Sequence, residues 1–148
     1  MQQSAVFPPP ESVDVIIDTP RFSAIKRRDD GSVEFVSPLP CPFNYGSVLD
    51  SVAADGDRID VVVLGPRLAR GARVNRPVRG VARFIDAGIE DPKWICAERP
   101  LGAFDRMQID AFFRLYALAK RAHERLRGQN TVTRYTGLWQ RDASDRAL

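Results

Sequence analysis

The stretch Asp55-Gly56-Asp57-Arg58-Ile59-Asp60 runs directly into Val61-Val62-Val63-Leu64. Three carboxylates within six residues repel one another, so gathering them makes sense only around a cation. The valine run reads as a buried strand, which fixes Asp60 at the rigid edge of a core. Hard oxygen ligands on a turn backed by a strand suit magnesium or manganese rather than zinc. Taken alone, Asp-Gly also reads as an ordinary hairpin turn. The rest of the chain separates the two.

At 148 residues the chain fits one domain, 1–148, with an extended arm at 1–11 and a polar tail at 140–148. No apolar run approaches membrane-spanning length, and the N-terminus lacks a secretion signal. Cys41 and Cys96 are too few for a disulfide framework and lack metal-site spacing. The expectation is a cytoplasmic protein. Net charge is only +3, and lysine appears only at Lys26, Lys93 and Lys120 amid abundant arginine.

Phe7-Pro8-Pro9-Pro10 cannot continue a helix or a central strand, so the first ten residues read as an extended arm. Strands are predicted over Val13–Asp18, Asp60–Leu64, Val78–Ile85 and Lys93–Ala97. A hairpin is predicted from Ser23–Arg28 and Ser32–Val36 around Asp29-Asp30-Gly31. Three prolines make Ser37–Pro42 irregular, and Asn44-Tyr45-Gly46 is placed in a loop or tight turn. One long helix is predicted over Phe104–Arg127, with Ile109, Phe112, Phe113, Tyr116, Ala119, Ala122 and Leu126 as its apolar positions and Gly128 as its stop. A short strand is expected near Thr131–Tyr135. Many short strands under one helix imply a mainly β (α+β) fold, a small closed or partly closed barrel.

A second acidic group, Asp86, Glu90 and Asp91, follows the strand ending at Ile85, with Lys93 two residues beyond Asp91. In a small barrel two strand ends can face each other, and their carboxylates then share a site. A lysine beside them either holds an ion pair or points at an anionic substrate. Acids with a few Lys, Arg and Tyr form the composition expected for metal-assisted phosphoryl transfer to water.

Other motifs fail on spacing. An EF-hand loop starting at Asp55 needs glycine at its sixth position and glutamate at its twelfth, where Asp60 and Pro66 stand. There is no Walker A loop and no dinucleotide fingerprint. With His123 the sole histidine, a zinc site or Ser-His pair is excluded. Arg67, Arg70, Arg73, Arg76, Arg79 and Arg83 recur every three or four residues, but Pro66, Gly71, Pro77 and Gly80 break any helix. These arginines read as surface or subunit contact, with no nucleic acid partner.

With these residues in place the chain resembles the soluble inorganic pyrophosphatases, the magnesium-dependent barrel family. The resemblance rests on Pro42-Phe43-Asn44-Tyr45-Gly46, on Asp55-Gly56-Asp57-Arg58-Ile59-Asp60-Val61, on Asp86 with Asp91-Pro92-Lys93, on Phe112-Phe113 with Tyr116, and on Gly137-Leu138-Trp139. It implies a five-stranded barrel of oligonucleotide-binding type with one long flanking helix and a short C-terminal segment. It also implies hydrolysis of diphosphate to two phosphates with Mg²⁺, Mn²⁺ being the alternative ion. By matching position, Asp55, Asp60, Asp86 and Asp91 would hold metal and Asp57 would be the base that deprotonates the attacking water. Lys26, Tyr45, Lys93 and Tyr116 would contact phosphate or position the acids, Lys26 and Tyr45 assisting catalysis. Bacterial members assemble through the helix, which implies a homo-oligomer here.

Departures fall in the substrate pocket. Arg27 and Arg28 stand where a tyrosine and a metal-binding glutamate are expected, and Ser37-Pro38 where a phosphate-binding arginine is expected. Cys41 replaces a tyrosine, Ala87 an acid, and Ala117 a lysine after Tyr116; Asp18 shortens a glutamate. Arg28 would then place its own positive charge against phosphate. Two alternatives follow: hydrolysis of another phosphoanhydride or phosphate ester, or a pseudoenzyme that binds metal or phosphate. Retention of Asp57 favours catalysis.

Overall fold

The computed structural model describes residues 3–4, 7–23, 25–27, 30, 32–36 and 40–141, with side chains for 7–23, 30, 32, 33 and 40–141. In chain order the strands are β1 (Gln3–Ser4), β2 (Ser12–Thr19), β3 (Ile25–Arg27), β4 (Val33–Val36), β5 (Asn44–Val48), β6 (Ser51–Val52), β7 (Asp60–Val63), β8 (Arg73–Asp86), β9 (Ile89–Glu90) and β10 (Lys93–Cys96). The helix α1 (Ala103–Leu126) and β11 (Arg134–Gln140) complete the order.

Five strands close a ring. β2 pairs antiparallel with β5, β5 antiparallel with β7, β7 parallel with β10, β10 antiparallel with β8, and β8 antiparallel with β2. Closure leaves no unpaired edge within the ring, as the barrel expectation requires. β8 makes closure possible by its length. Arg73–Pro77 pairs with β2 while Val78–Ala82 pairs with β10, and β11 extends the sheet along Gly80–Ile85.

The apolar runs are continuous because both faces of these strands are covered. Val61, Val63, Trp94 and Cys96 point into the ring with Val13, Val15, Ile17, Val48, Val78 and Val81. Val62 and Ile95, one residue out of phase, point outward and pack with Phe43, Ala82 and Phe84 against Ile109, Phe113 and Ala117 of α1. The outer face of the ring beneath the helix is therefore a second core.

Several expectations shift. Asn44-Tyr45-Gly46 forms strand β5, not a loop, since all three pair with β7. β8 starts five residues before the expected Val78, carrying Arg73, Arg76 and Pro77 into the ladder with β2. The last strand is Arg134–Gln140, not Thr131–Tyr135, because Leu138 and Trp139 are what pack on the sheet. Gln140 therefore belongs to a strand rather than a tail, and residues 142–148 lie outside the described residues. The arm is docked: the Phe7 ring meets Trp139 edge-on at 5.0 Å, and the Arg141 guanidinium donates to the Pro9 and Pro10 carbonyls at 2.5 and 3.1 Å. The expected hairpin pairs β3 with β4; its tip, Arg28, Asp29 and Gly31, lies outside the described residues.

The helix matches its expected bounds within a residue and its expected face from Ile109 to Ala119, but not in its last two turns. Ile109, Phe113 and Ala117 are buried, while Ala122 and Leu126 face solvent, Leu126 at 88% exposure. Steps of three and four drift around a 3.6-residue helix, so the expected list crossed between two stripes. The outer stripe is Phe104, Met107, Ala111, Leu115, Leu118, Ala122 and Leu126, all exposed. No described helix is long and apolar enough to cross a membrane.

Candidate active site

Asn44, Tyr45 and Gly46 do three jobs on one strand. Asn44 is fully buried; its amide oxygen accepts from the Arg21 and Leu68 N–H groups at 3.0 and 2.8 Å, and its nitrogen donates to the Pro66 carbonyl at 2.9 Å. It thereby staples two loops to β5. A β-carbon on Gly46 would lie 2.1 Å from the Ile16 carbonyl oxygen, so the close approach of β2 excludes any side chain there. Tyr45, between them, hydrogen-bonds Asp60. Burial first, then the negative charge of Asp60 and Asp91 nearby, pushes its phenol well above the usual range, so it stays protonated and can donate.

Asp60 opens β7, Lys93 opens β10, and the two are paired partners in the parallel ladder. Parallel partners share a face, which puts the lysine stem beside the carboxylate. The Lys93 ammonium donates to Asp60 Oδ2 at 2.6 Å and to Asp91 Oδ2 at 2.5 Å. Its side chain is only 5% exposed. Burial opposes that charge, but Asp60 and Asp91 more than offset it, and the ammonium stays protonated far above neutrality. The Asp91 pKa is also raised: burial lifts it, Lys93 pulls it down, and the like charges of Asp60 and Asp55 push it up, leaving a net rise.

Asp55 and Asp57 lie on the turn leading into β7. Gly56 takes a φ of +88°, and the Asp57 N–H donates to Asp55 Oδ1 at 3.0 Å, which closes the turn. Below it the Ser51 hydroxyl donates to the Val48 carbonyl at 2.6 Å and accepts from the Ile59 N–H at 3.0 Å. Asp55 and Asp57 are themselves exposed.

The remaining expected residues extend a row. Tyr116 stacks on Phe112 at 5.9 Å and leans on Phe84 at 5.8 Å, and it is close enough to Tyr45 to influence its ionisation. Asp86, at the end of β8, is ion-paired with Lys120 of α1, whose ammonium lies 5.7 Å from the centre of the Tyr116 ring. Asp55, Asp60 and Asp91 are thus brought within electrostatic reach of one another, while Asp86 is held by Lys120 of α1. Lys26 lies on β3 with its side chain outside the described residues, and Arg28 lies outside them altogether. Sequence reasoning missed Lys120 and the stapling role of Asn44. The spacing of Lys120 one helical turn after Tyr116 was the available signal for the former.

Among the described residues no three carboxylates converge on one point close enough to ligate an ion. Asp60 and Asp91 share the Lys93 ammonium, which draws their carboxylates to the same place. Magnesium is commonly held by one or two carboxylates plus substrate phosphate, so the donor set fits it. The thiols do not compete as ligands or nucleophiles. Burial lifts Cys41 to about 11 and Cys96 to about 12, so both are neutral at physiological pH.

The sequence profile of the inorganic pyrophosphatases matches residues 15–134. The chain is 30% identical over 95 residues to the inorganic pyrophosphatase of Gluconobacter oxydans, covering 59% of this chain and 55% of that one. It is 35% identical over 102 residues to that of Brucella melitensis, covering 62% and 57%. The matches thus span little more than half the length of these curated relatives. The solved inorganic pyrophosphatase of Thermus thermophilus superposes with a TM-score of 0.70 at 24% identity, over 98% of this chain and 91% of that one. The Helicobacter pylori enzyme gives 0.71 at 22%, over 92% and 88%. Ring, covering helix and matched profile agree: the chain belongs to the inorganic pyrophosphatase family.

Proposed function

We propose that this chain hydrolyses inorganic diphosphate to two phosphates at the row of acids, lysine and tyrosine running from Asp55 to Tyr116. The observation that carries the reading is the buried Lys93 ammonium clamped between Asp60 and Asp91. Such an arrangement holds two carboxylates side by side on one cation, in a place where a hard metal ion and a phosphate can meet.

Asp60 and Asp91 would hold Mg²⁺ together with phosphate oxygens, with Asp55 and Asp86 as outer carboxylates that would close on the ion or its bound water; Mn²⁺ has the same oxygen chemistry. The bound cation would supply charge neutralisation on the phosphate and acidify water. Asp57, exposed on its turn, would accept the proton as water attacks one phosphorus and the bond to the bridging oxygen breaks. Tyr45 and Tyr116 would donate to phosphate oxygens or hold Asp60. Lys93 would orient both carboxylates and meet the departing phosphate. Lys26 and Arg28 would complete the phosphate contacts.

The experiment is phosphate release from diphosphate in magnesium buffer, with Asp57→Asn alongside. A general base contributes roughly 10²- to 10⁴-fold, so the variant should lose on that order of rate. Wild-type release no faster than that of the variant removes the reading. Replacement of the helix lysine after Tyr116 by Ala117 favours a wider substrate range, and nucleotides and phosphomonoesters in the same assay test it. Binding of diphosphate without turnover would instead mark a pseudoenzyme.

The outer stripe of α1 supports self-association. Seven apolar positions from Phe104 to Leu126 follow steps of three, four and four, an eleven-residue period that keeps one straight face apolar for the helix's whole length. Two buried, unpaired cysteines suit a reducing compartment, and we place the protein in the cytoplasm.

A further inference from the structure

We propose that Lys120 is a substrate-contacting residue, an ammonium that α1 presents to the diphosphate at the end of the site opposite Lys93. The inference rests on the phosphate-binding reading above and names a residue that reading does not use.

Three observations carry it. First, Lys120 lies on the inward face of α1, in line with Ile109, Phe113, Tyr116, Ala117 and Glu124, where an apolar residue would ordinarily pack. A lysine there loses side-chain freedom and hydration, and an ordinary surface ion pair returns little for that loss.

Second, its head is tied into the same cluster as the acids. Lys93 stands over the Phe84 ring at 5.6 Å and Lys120 over the Tyr116 ring at 5.7 Å, and those two rings touch, their centres 5.8 Å apart. The two ammoniums therefore flank one aromatic pair. Asp86, which holds Lys120, is two residues from Phe84 on β8. An elongated dianionic or more highly charged ligand lying along the row would meet a cation at each end.

Third, the two lysines differ in what is left over. Lys93 donates to two carboxylates, keeps one N–H, and is 5% exposed. Lys120 is 27% exposed and donates to a single carboxylate among the described residues, so two of its three N–H groups are left for a ligand. Asp86 aims the head without neutralising its capacity to donate. Lys120 is thus an adjustable outer contact, and Lys93 a fixed inner one.

The test compares wild type, Lys120→Met and Lys120→Arg by calorimetric binding of imidodiphosphate with magnesium and by steady-state kinetics on diphosphate. Lys120→Met keeps the stem that packs on Tyr116 and removes only the charge. The expected result is imidodiphosphate binding weakened about tenfold and KM raised by a similar factor, kcat within about threefold, and most of both restored in Lys120→Arg. Unchanged binding and KM in Lys120→Met, or a loss confined to kcat, overturns the proposal while hydrolysis by the wild type leaves the functional reading standing. Imidodiphosphate binding that depends on Lys120 in a wild-type protein that releases no phosphate supports the contact and sinks the hydrolase reading. Failure of Lys120→Arg to recover binding counts against a ligand contact and for a packing role.

Discussion

The Lys93 ammonium lies 2.6 Å from Asp60 and 2.5 Å from Asp91, with almost none of its side chain in water. Removing one member of such a group leaves like charges facing each other at low dielectric. Lys93→Met should cost about 3 kcal/mol in metal-free buffer by denaturant unfolding. Magnesium should recover more of the variant's stability than of the wild type's, because it then replaces the missing charge. Equal stability with and without the ammonium would show the pair to be incidental.

Gly46→Ala is expected to destabilise the fold by about 3 kcal/mol or more, since the clash is with backbone that cannot rotate away. The loss should appear in the melting temperature and also in diphosphate binding, because Tyr45 is its neighbour on β5. A melting temperature matching the wild type would mean that β2 moves freely from β5.

Asp105 anchors the start of α1: it accepts from the Gly102 N–H at 2.8 Å and from both Arg99 terminal nitrogens, at 2.5 and 3.1 Å. The Arg99 hydrogen bonds, partly opposed by burial, hold its carboxyl below the ordinary value of 3.8. A group depressed on folding stabilises above its unfolded pKa and loses that contribution as pH falls through the folded one. Asp105→Asn should therefore cost about 1 kcal/mol at neutral pH, and the gap from wild type should close as pH drops below 3.8. A gap that stays constant on acid titration would assign the effect to packing instead.

Leu115→Asp with Leu118→Asp changes only exposed positions, each 54% accessible, so folding stability should move by no more than about 0.5 kcal/mol. The expected outcome is a smaller assembly by light scattering with an unchanged monomer fold by circular dichroism. An assembly of wild-type mass would place self-association elsewhere.

Periodicity and motif spacing reached different parts of this molecule. The valine run, the hairpin and the bounds of α1 were legible because each is local: an apolar alternation, a turn signal, a stop at Gly128. The last turns of α1 were not, since Ala122 and Leu126 differ from buried positions only in what lies opposite them. Asn44-Tyr45-Gly46 looked like a turn because Asn and Gly favour turns. In the ring the same residues serve as staple, donor and clearance, which depend on β2 and the loops at Arg21 and Leu68. Asp60, Asp91 and Lys93 were legible as a set, yet their contact needed the parallel pairing of β7 with β10. Lys120 fell out of the reading because its partner, Asp86, is distant in sequence.

That parallel seam, where Asp60 sits beside Lys93, is contributed by segments separated by the whole of β8. A chain emerging from synthesis with β7 complete but β10 still missing has acids and no counter-cation, and a slip of one residue in the seam turns Asp60 toward the ring's interior. If the proposed site holds a divalent ion, its capture would be coupled to finishing the fold, and ion affinity would then serve as a readout of correctly assembled molecules.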